Sequence, residues 1–276
     1  MNLQKLTSAD IKKMSYNEII GLVRETNRTP GGSKSVAYIT QFCGLKKGKK
    51  VLDIGTSTGI TALELGQFAG CDVIGIDINE TSLAEATQRA KDLKINNIVK
   101  FQKDDAMNLS FPDKSFDVIF CGNVTSLLAD RNKALKEYNR VLKDTGFLAA
   151  IPMYYIKRPS RKLVSDVSAA IQVNIKPQYK EDWVTFFTKD LFEPFVIKDF
   201  KFDKLSKKKV DDFCNIILAR PHLKKLSSDA KKTLDVVYRE YMQLFRINLA
   251  HMGFSILVLK KANKNIDPEL FTSTEV

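Results

Sequence analysis

The stretch Val51-Leu52-Asp53-Ile54-Gly55-Thr56-Ser57-Thr58-Gly59 decides how this chain folds. Its first four residues form a short, mostly apolar run, the pattern of a buried strand. Gly55 ends that run. Gly59 opens residues 60–68, whose apolar positions recur at helical spacing. Strand, glycine turn and helix make the first half of a βαβ nucleotide-binding unit. The glycines free the backbone dihedrals and let a ligand approach the main chain closely. The helix start offers unpaired N–H groups and partial positive charge to an anionic group.

Downstream, residues 72–77 predict a second strand ending in a carboxylate, Asp77, which lies 22 residues past Gly55. An ionised carboxylate is acceptor-only, and at this strand tip it suits two ribose hydroxyls. Residues 81–93 predict a helix, with Leu83, Ala86, Ala90 and Leu93 inward. Residues 98–102 predict a third strand, followed by Asp104-Asp105-Ala106, and residues 116–121 a fourth. Asp130 can cap a helix carrying Ala134, Leu135, Tyr138 and Val141 on one face. Thr145-Gly146 turns it into a fifth strand over residues 147–151, closed by Pro152. Strands alternating with amphipathic helices predict an α/β fold with a doubly wound, mostly parallel sheet. Upstream, residues 8–22 predict one helix with Ile11, Met14, Ile19 and Leu22 inward and Ser8 or Asp10 as its cap. Residues 24–32 are a loop by composition, with Arg24, Asn27, Arg28 and Gly31-Gly32 as ligand-type groups. A short helix over residues 35–42 leads back to Val51.

Composition narrows the class. The chain has 276 residues, room for one large α/β domain plus a smaller cap. Its 44% apolar content supplies a core and excludes disorder. No run of 18 apolar residues is present to span a membrane, and residues 1–13 lack an apolar signal core. Cys43, Cys71, Cys121 and Cys214 form no CxxC pair, which points to free thiols in a reducing cytoplasm and to no metal site. A net charge of +12 suits an acidic substrate or a nucleic acid.

The ordered set of motifs resembles the class I S-adenosylmethionine (SAM)-dependent methyltransferases. Asp53-x-Gly55-x-Ser57-x-Gly59 is similar to that family's glycine motif, Asp77 to its ribose-binding acid, and Asp105-Ala106 to the motif facing the adenine amino group. Phe111-Pro112-Asp113-Lys114-Ser115-Phe116-Asp117-Val118 resembles the lead into its fourth strand. Arg140-Val141-Leu142-Lys143-x-x-Gly146 resembles the turn before its fifth. The resemblance covers residues 48–153. It implies SAM as cofactor, held by Asp53, Gly55, Thr56, Ser57, Gly59, Asp77, Ile78, Asp105, Ala106 and Asn123. Upstream of the resemblance, the aromatic hydroxyl of Tyr16, the fixed cation of Arg28 and Gly31-Gly32 predict an N-terminal lid that closes over the cofactor. Arg28 suits the methionine carboxylate because a guanidinium holds a carboxylate bidentately. Two departures stand out. Ser57 replaces a usual glycine, so a positive φ there would be strained. Lys143-Asp144-Thr145-Gly146 replaces a Lys-Pro-Gly-Gly turn, which touches only a connector. The dinucleotide fingerprint fails, because Ser57 and Ile60 stand where glycines are needed, and no P-loop Gly-Lys-Ser/Thr follows Gly55.

The second half is organised differently. Residues 157–179 predict a helix and loop, residues 195–200 a sixth strand and residues 254–259 a seventh. About fifty residues intervene, far more than an ordinary connection. Residues 210–219 and 228–250 predict helices, the second with Leu234, Val237, Tyr241, Leu244 and Phe245 on one face. The expected architecture is a seven-stranded, mostly parallel sheet with a helical cap inserted before its last strand. Its divisions are residues 1–47 (N-terminal helical lid), 48–203 (SAM-binding core), 204–252 (cap) and 253–276 (last strand and tail). Residues 198–232 hold 11 Lys and Arg against 5 Asp and Glu, a net of +6.

The expected reaction is in-line methyl transfer to a nitrogen or oxygen of a small molecule, an anionic one suiting the basic cap. Methylation of RNA or protein is the alternative, although Cys121-Gly122-Asn123-Val124 stands where an Asn-Pro-Pro-Tyr run would mark a nucleic-acid enzyme. A non-catalytic SAM-binding partner protein is a third reading. Monomer and homodimer both stay open. A hydroxyl acceptor needs a base. The only histidines are His222 and His251, and His251, before the last strand, is the better candidate. Asn123, Tyr154, Tyr155, Tyr241 and Phe245 are expected to line the acceptor pocket.

Overall fold

A computed structural model describes residues 3–262; the tail expected within residues 253–276 lies outside the described residues from 263 onward. Two short helices open the chain, α1 (Ser8–Lys13) and α2 (Tyr16–Val23), followed by α3 (Ser33–Phe42). The single helix expected over residues 8–22 is broken at Ser15, which accepts the Glu18 N–H while Glu18 accepts its own. That reciprocal capping box starts a second helix, and Thr7 with Asp10 builds the same device at the first.

The βα alternation then runs β1 (Lys50–Ile54), α4 (Ile60–Ala69), β2 (Asp72–Asp77), α5 (Glu80–Asp92), β3 (Val99–Lys103), β4 (Phe116–Cys121), α6 (Arg131–Val141) and β5 (Leu142–Ala150). Beyond it come β6 (Met153–Tyr155), α7 (Arg161–Ile171), α8 (Lys180–Thr188), β7 (Phe192–Lys201), α9 (Lys207–Leu218), α10 (Ser228–Leu249) and β8 (Met252–Lys261). No expected element covers α8. Its burial of Trp183 and Phe187, one turn apart, explains why it forms.

The sheet has eight strands in the order β3-β2-β1-β4-β5-β8-β6, with β7 also on β8. This is one more than the expected seven, and the register explains the difference. Ala150 pairs with Leu257 and Met153 with Phe254, so β5 and β6 continue one line along the same edge of β8. Pro152 sits in the gap, where a missing N–H interrupts the ladder. β1 to β5 run parallel, and β8 runs antiparallel to both β5 and β7. Lys201 at the end of β7 pairs with Gly253 at the start of β8, so α9 and α10 leave and rejoin the sheet at the carboxyl edge of the parallel strands.

Successive strand residues face opposite sides. Leu52 and Ile54 enter a core with Ile119, Tyr138 and Trp183, while Val51 enters one with Val36, Val73 and Ile256. A third core joins the N-terminal helices to the insert: Ile11, Ile19, Ile20 and Val23 pack with Val210, Ile217, Leu234 and Tyr238. Each such side chain contributes about 1.5–3 kcal/mol by leaving water. The N-terminal helices α1 and α2 and the insert helices α9 and α10 therefore form one helical layer.

Candidate active site

The expected cofactor residues line up along the carboxyl edge in sheet order: Asp105 after β3, Asp77 ending β2, the glycine turn after β1, and Gly122-Asn123 after β4. Ligands of open α/β sheets bind in such a crevice.

The glycine turn is tightly self-braced. Gly55 and Gly59 have φ of 71° and 82°, and a Cβ at either would collide with protein, Val124 at 2.6 Å or Ala86 at 2.6 Å. Packing thus already demands both glycines. Ser57 adopts the left-handed φ of 50°, a conformation that costs a non-glycine residue about 1–2 kcal/mol. Its N–H donates to Asp77 Oδ2 at 2.9 Å, which fixes that geometry. The Gly55 and Thr56 N–H groups both donate to Ile76 O. Asp53 is buried and accepts Thr56 Oγ1 at 2.6 Å. Burial raises its carboxyl to about 7, against the lowering bonds from Thr56 and the Ala62 N–H and with the Asp77 charge adding to the rise. Asp53 and Thr56 therefore point inward and hold the start of α4. An anion-binding role for this helix start finds its N–H at Ala62 already used by Asp53.

What faces outward is the Asp77 side. Each Asp77 oxygen accepts one backbone N–H, from Ser57 and Asn79, both at 2.9 Å. A carboxylate has about four acceptor positions, so about two remain, enough for a pair of ribose hydroxyls. Ile78 next to it is 72% exposed, an apolar face at the strand tip. Asp105 is exposed, with Oδ1 accepting the Met107 N–H at 2.9 Å, and Ala106 is buried beneath it. This set fits a nucleoside: an acceptor pair, an apolar plate and a second acid one strand further out.

Residues 25–32 cross this edge as a strap. Thr58 Oγ1 donates to Glu25 O at 2.7 Å, and Asn27 Nδ2 to Ser57 Oγ at 3.5 Å. Glu25 also accepts Tyr238 Oη of α10 at 2.5 Å; burial raises its carboxyl, and Tyr238 and Arg220 partly offset this. Arg89 donates to Thr58 O at 3.1 Å and Arg24 O at 2.6 Å, while Arg220 donates to Val23 O at 2.9 Å. Cations from α5 and from the insert thus cap the carbonyl end of α2, where its dipole favours them. Arg28, expected to hold a carboxylate of the ligand, is engaged by Glu64 and Ser33. Tyr16 packs against Tyr241 and Phe245, with ring centroids 5.9 and 4.5 Å apart, so in this structure it meets the insert.

The acceptor-side residues divide. Asn123 Oδ1 accepts the Met153 N–H at 3.0 Å and ties β4 to β6. Tyr154 and Tyr155 are buried; Tyr155 Oη donates to Asn248 Oδ1 at 2.8 Å, and Tyr154 Oη accepts from Ser255 Oγ at 3.1 Å. Tyr241 Oη donates to Met14 O at 3.0 Å. The Tyr155 and Tyr241 hydroxyls brace the insert, and that of Tyr154 ties β6 to β8. His251 Nδ1 lies 3.0 Å from Ile247 O, the carbonyl one turn earlier, a contact that leaves its other ring nitrogen unassigned. His222 Nε2 lies 3.0 Å from Leu22 O, and burial lowers its pKa. A cavity of about 220 Å³ opens between the end of β7 and α10, lined by Phe202, Asp203, Leu205, Arg246 and Leu249. Neither Glu25 nor this cavity is marked by the sequence; only the Glu25–Tyr238 contact across 213 residues reveals the first.

A family model described as a methyltransferase domain matches residues 52–150. An uncharacterised protein of Haemophilus influenzae is 29% identical over 170 residues, covering 61% of this chain and 68% of that protein. The sterol 24-C-methyltransferase erg6 of Aspergillus fumigatus is 35% identical over 109 residues, 40% of this chain but only 29% of that enzyme. Among solved structures, the MccD protein superposes with a TM-score of 0.72 at 25% identity, over 86% of this chain and all of that one. With the strand order and the edge acids in place, residues 52–150 carry a methyltransferase domain on the class I SAM-dependent fold, and its cofactor is S-adenosylmethionine.

Proposed function

We propose that the enzyme methylates a small, anionic molecule at nitrogen or oxygen, bound between the insert and the carboxyl edge. The cavity beside α10 carries this reading. Three apolar walls, Phe202, Leu205 and Leu249, surround Arg246, whose Nε donates to Gln243 Oε1 at 2.7 Å. Asp203 lines the cavity too, so its apolar walls carry one cation and one carboxylate, a setting that suits a small polar ligand whose negative group meets Arg246. The aromatic face of α10 is turned onto Tyr16, so Tyr241 and Phe245 are not free to stack on the bases of a nucleic acid. Its basic residues are also dispersed: Arg220 faces the end of α2, and Arg239 pairs with Asp235 at 3.0 Å.

In this reading Asp77 takes the ribose hydroxyls, Ile78 the adenine face and Asp105 its amino group. Bound SAM supplies an already activated methyl. The chain's part is to align the acceptor and exclude water, which together supply about 7–11 kcal/mol of the barrier. An amine needs only its neutral lone pair. Carbon is a second acceptor atom to weigh, because the sterol relatives carry a 24-C-methyltransferase name. The four free, buried cysteines support a cytoplasmic setting. Among the described residues no helix is long and apolar enough to cross a membrane.

The test is turnover with methyl-labelled SAM against a panel of small anionic amines, alcohols and alkenes, alongside tRNA and DNA. NMR of the product separates N-, O- and C-methyl groups. Micromolar nucleic-acid binding that survives about 0.2 M salt, with methyl transfer to it, would overturn the small-molecule reading.

A further inference from the structure

We propose that the Thr29 hydroxyl binds the amino-acid group of S-adenosylmethionine. The inference rests on the cofactor assignment and adds a contact that no motif marks. Thr29 Oγ1 is buried and hydrogen-bonds to no described group. The other such atom, Thr40 Oγ1, belongs to α3. Thr29 belongs to the strap over the carboxyl edge. Its neighbours are fixed on both sides: Glu25 O and Asn27 Nδ2 are bonded to the glycine turn, and Pro30 O accepts Ser35 Oγ at 2.7 Å. Further on, a Cβ at Gly31 would lie 2.8 Å from the Phe254 ring, so the strap is pressed onto β8.

Thr29 itself sits over the end of β4. A Cβ at Gly122 would lie 3.1 Å from its Oγ1. That end is where the cofactor's amino-acid group should fall. Sheet order runs β3, β2, β1, β4, with Asp105 after β3 and Asp77 ending β2. With adenine and ribose at those acids, the rest of the molecule extends across β1 toward β4. Its far end carries an ammonium and a carboxylate. A hydroxyl both accepts and donates, so it complements either group. A polar atom buried without a partner destabilises a protein, whereas a ligand that completes the bond removes that penalty.

Two ligands separate this contact from a structural role. S-adenosylhomocysteine carries the amino-acid group; 5′-methylthioadenosine shares the nucleoside and thioether but lacks it. Calorimetric titration of wild type, Thr29→Val and Thr29→Ser with both ligands is the experiment. Valine keeps the shape and removes the hydroxyl. Expected is a loss of about 10- to 100-fold in S-adenosylhomocysteine affinity for Thr29→Val, as for a lost bond to a charged group. Methylthioadenosine affinity stays within about twofold, and Thr29→Ser restores most of the loss. The ligand-free Thr29→Val protein melts at or above the wild-type temperature, because its orphan hydroxyl is gone. Loss of both ligands in parallel, or of neither, overturns the role given to Thr29. Wild type that binds neither ligand overturns the cofactor geometry instead.

Discussion

Replacing Asp53 with asparagine tests the energetics of the glycine turn. Asp53, the penultimate residue of β1, has 2% of its surface exposed, and burial lifts its carboxyl from 3.8 to about 7. A carboxyl raised in the folded state contributes stability that is fully present below the unfolded value, near 4. That contribution is lost as pH rises through about 7. Integrating the two titrations between pH 5 and pH 8 gives a loss of about 3 kcal/mol from this one group. The Asp53→Asn side chain cannot ionise and escapes that loss. It retains an oxygen for the Thr56 hydroxyl, but its amide nitrogen meets the Ala62 N–H, a mismatch that costs about 1–3 kcal/mol at every pH. The variant should therefore be the less stable protein at pH 5 and draw level with or pass wild type by pH 8. Urea denaturation of both proteins at four pH values across that range measures the difference, in which titrating groups not coupled to Asp53 cancel. Parallel curves would show that Asp53 ionises normally and would refute the reasoning.

The remaining expectations concern the ligand. Asp77→Ala should weaken S-adenosylhomocysteine binding by about 2–4 kcal/mol, read by calorimetry; unchanged affinity would mean that Asp77 serves only the Ser57 and Asn79 N–H groups. Asp105→Leu should bind the ligand more weakly than Asp105→Asn, which keeps an acceptor oxygen, and equal affinities would leave Asp105 only its bond to Met107. Hydrogen exchange over residues 8–34 should slow when S-adenosylhomocysteine binds, because the strap is bonded to the turn at Glu25 and Asn27; no change would separate strap from cofactor.

The strands and their order of chemistry are legible because each leaves a local pattern. Residues 72–77 and 116–121 are bounded correctly by apolar runs between polar turns. The break at Ser15 is also written locally, as Ser15-x-x-Glu18, but the apolar face that runs on across it masks the signal. The joining of β5 to β6 along β8 has no local sign. It depends on where Pro152 falls relative to a strand about a hundred residues later, and pairing register is a tertiary property.

The site is legible by residue type and illegible by direction. An Asp-x-Gly-x-Ser-x-Gly run announces a turn that can meet a ligand, but not which of its groups the protein consumes first. Here Gly55 and Gly59 are claimed by Val124, Ala86 and Phe101, and Asp53 by Thr56 and Ala62. Arg28, a natural carboxylate ligand on paper, is claimed by Glu64. The groups left to face a ligand are those whose bonding is incomplete after folding: Asp77 with acceptor positions to spare, Ile78 exposed, and Thr29 with none of its hydroxyl's bonds made. Incomplete satisfaction can be counted only once every neighbour is in place. That is why Asp53, Gly55 and Gly59, marked by the motif, are found bonded or packed within the scaffold, while a threonine without any motif is left with its bonds unmade.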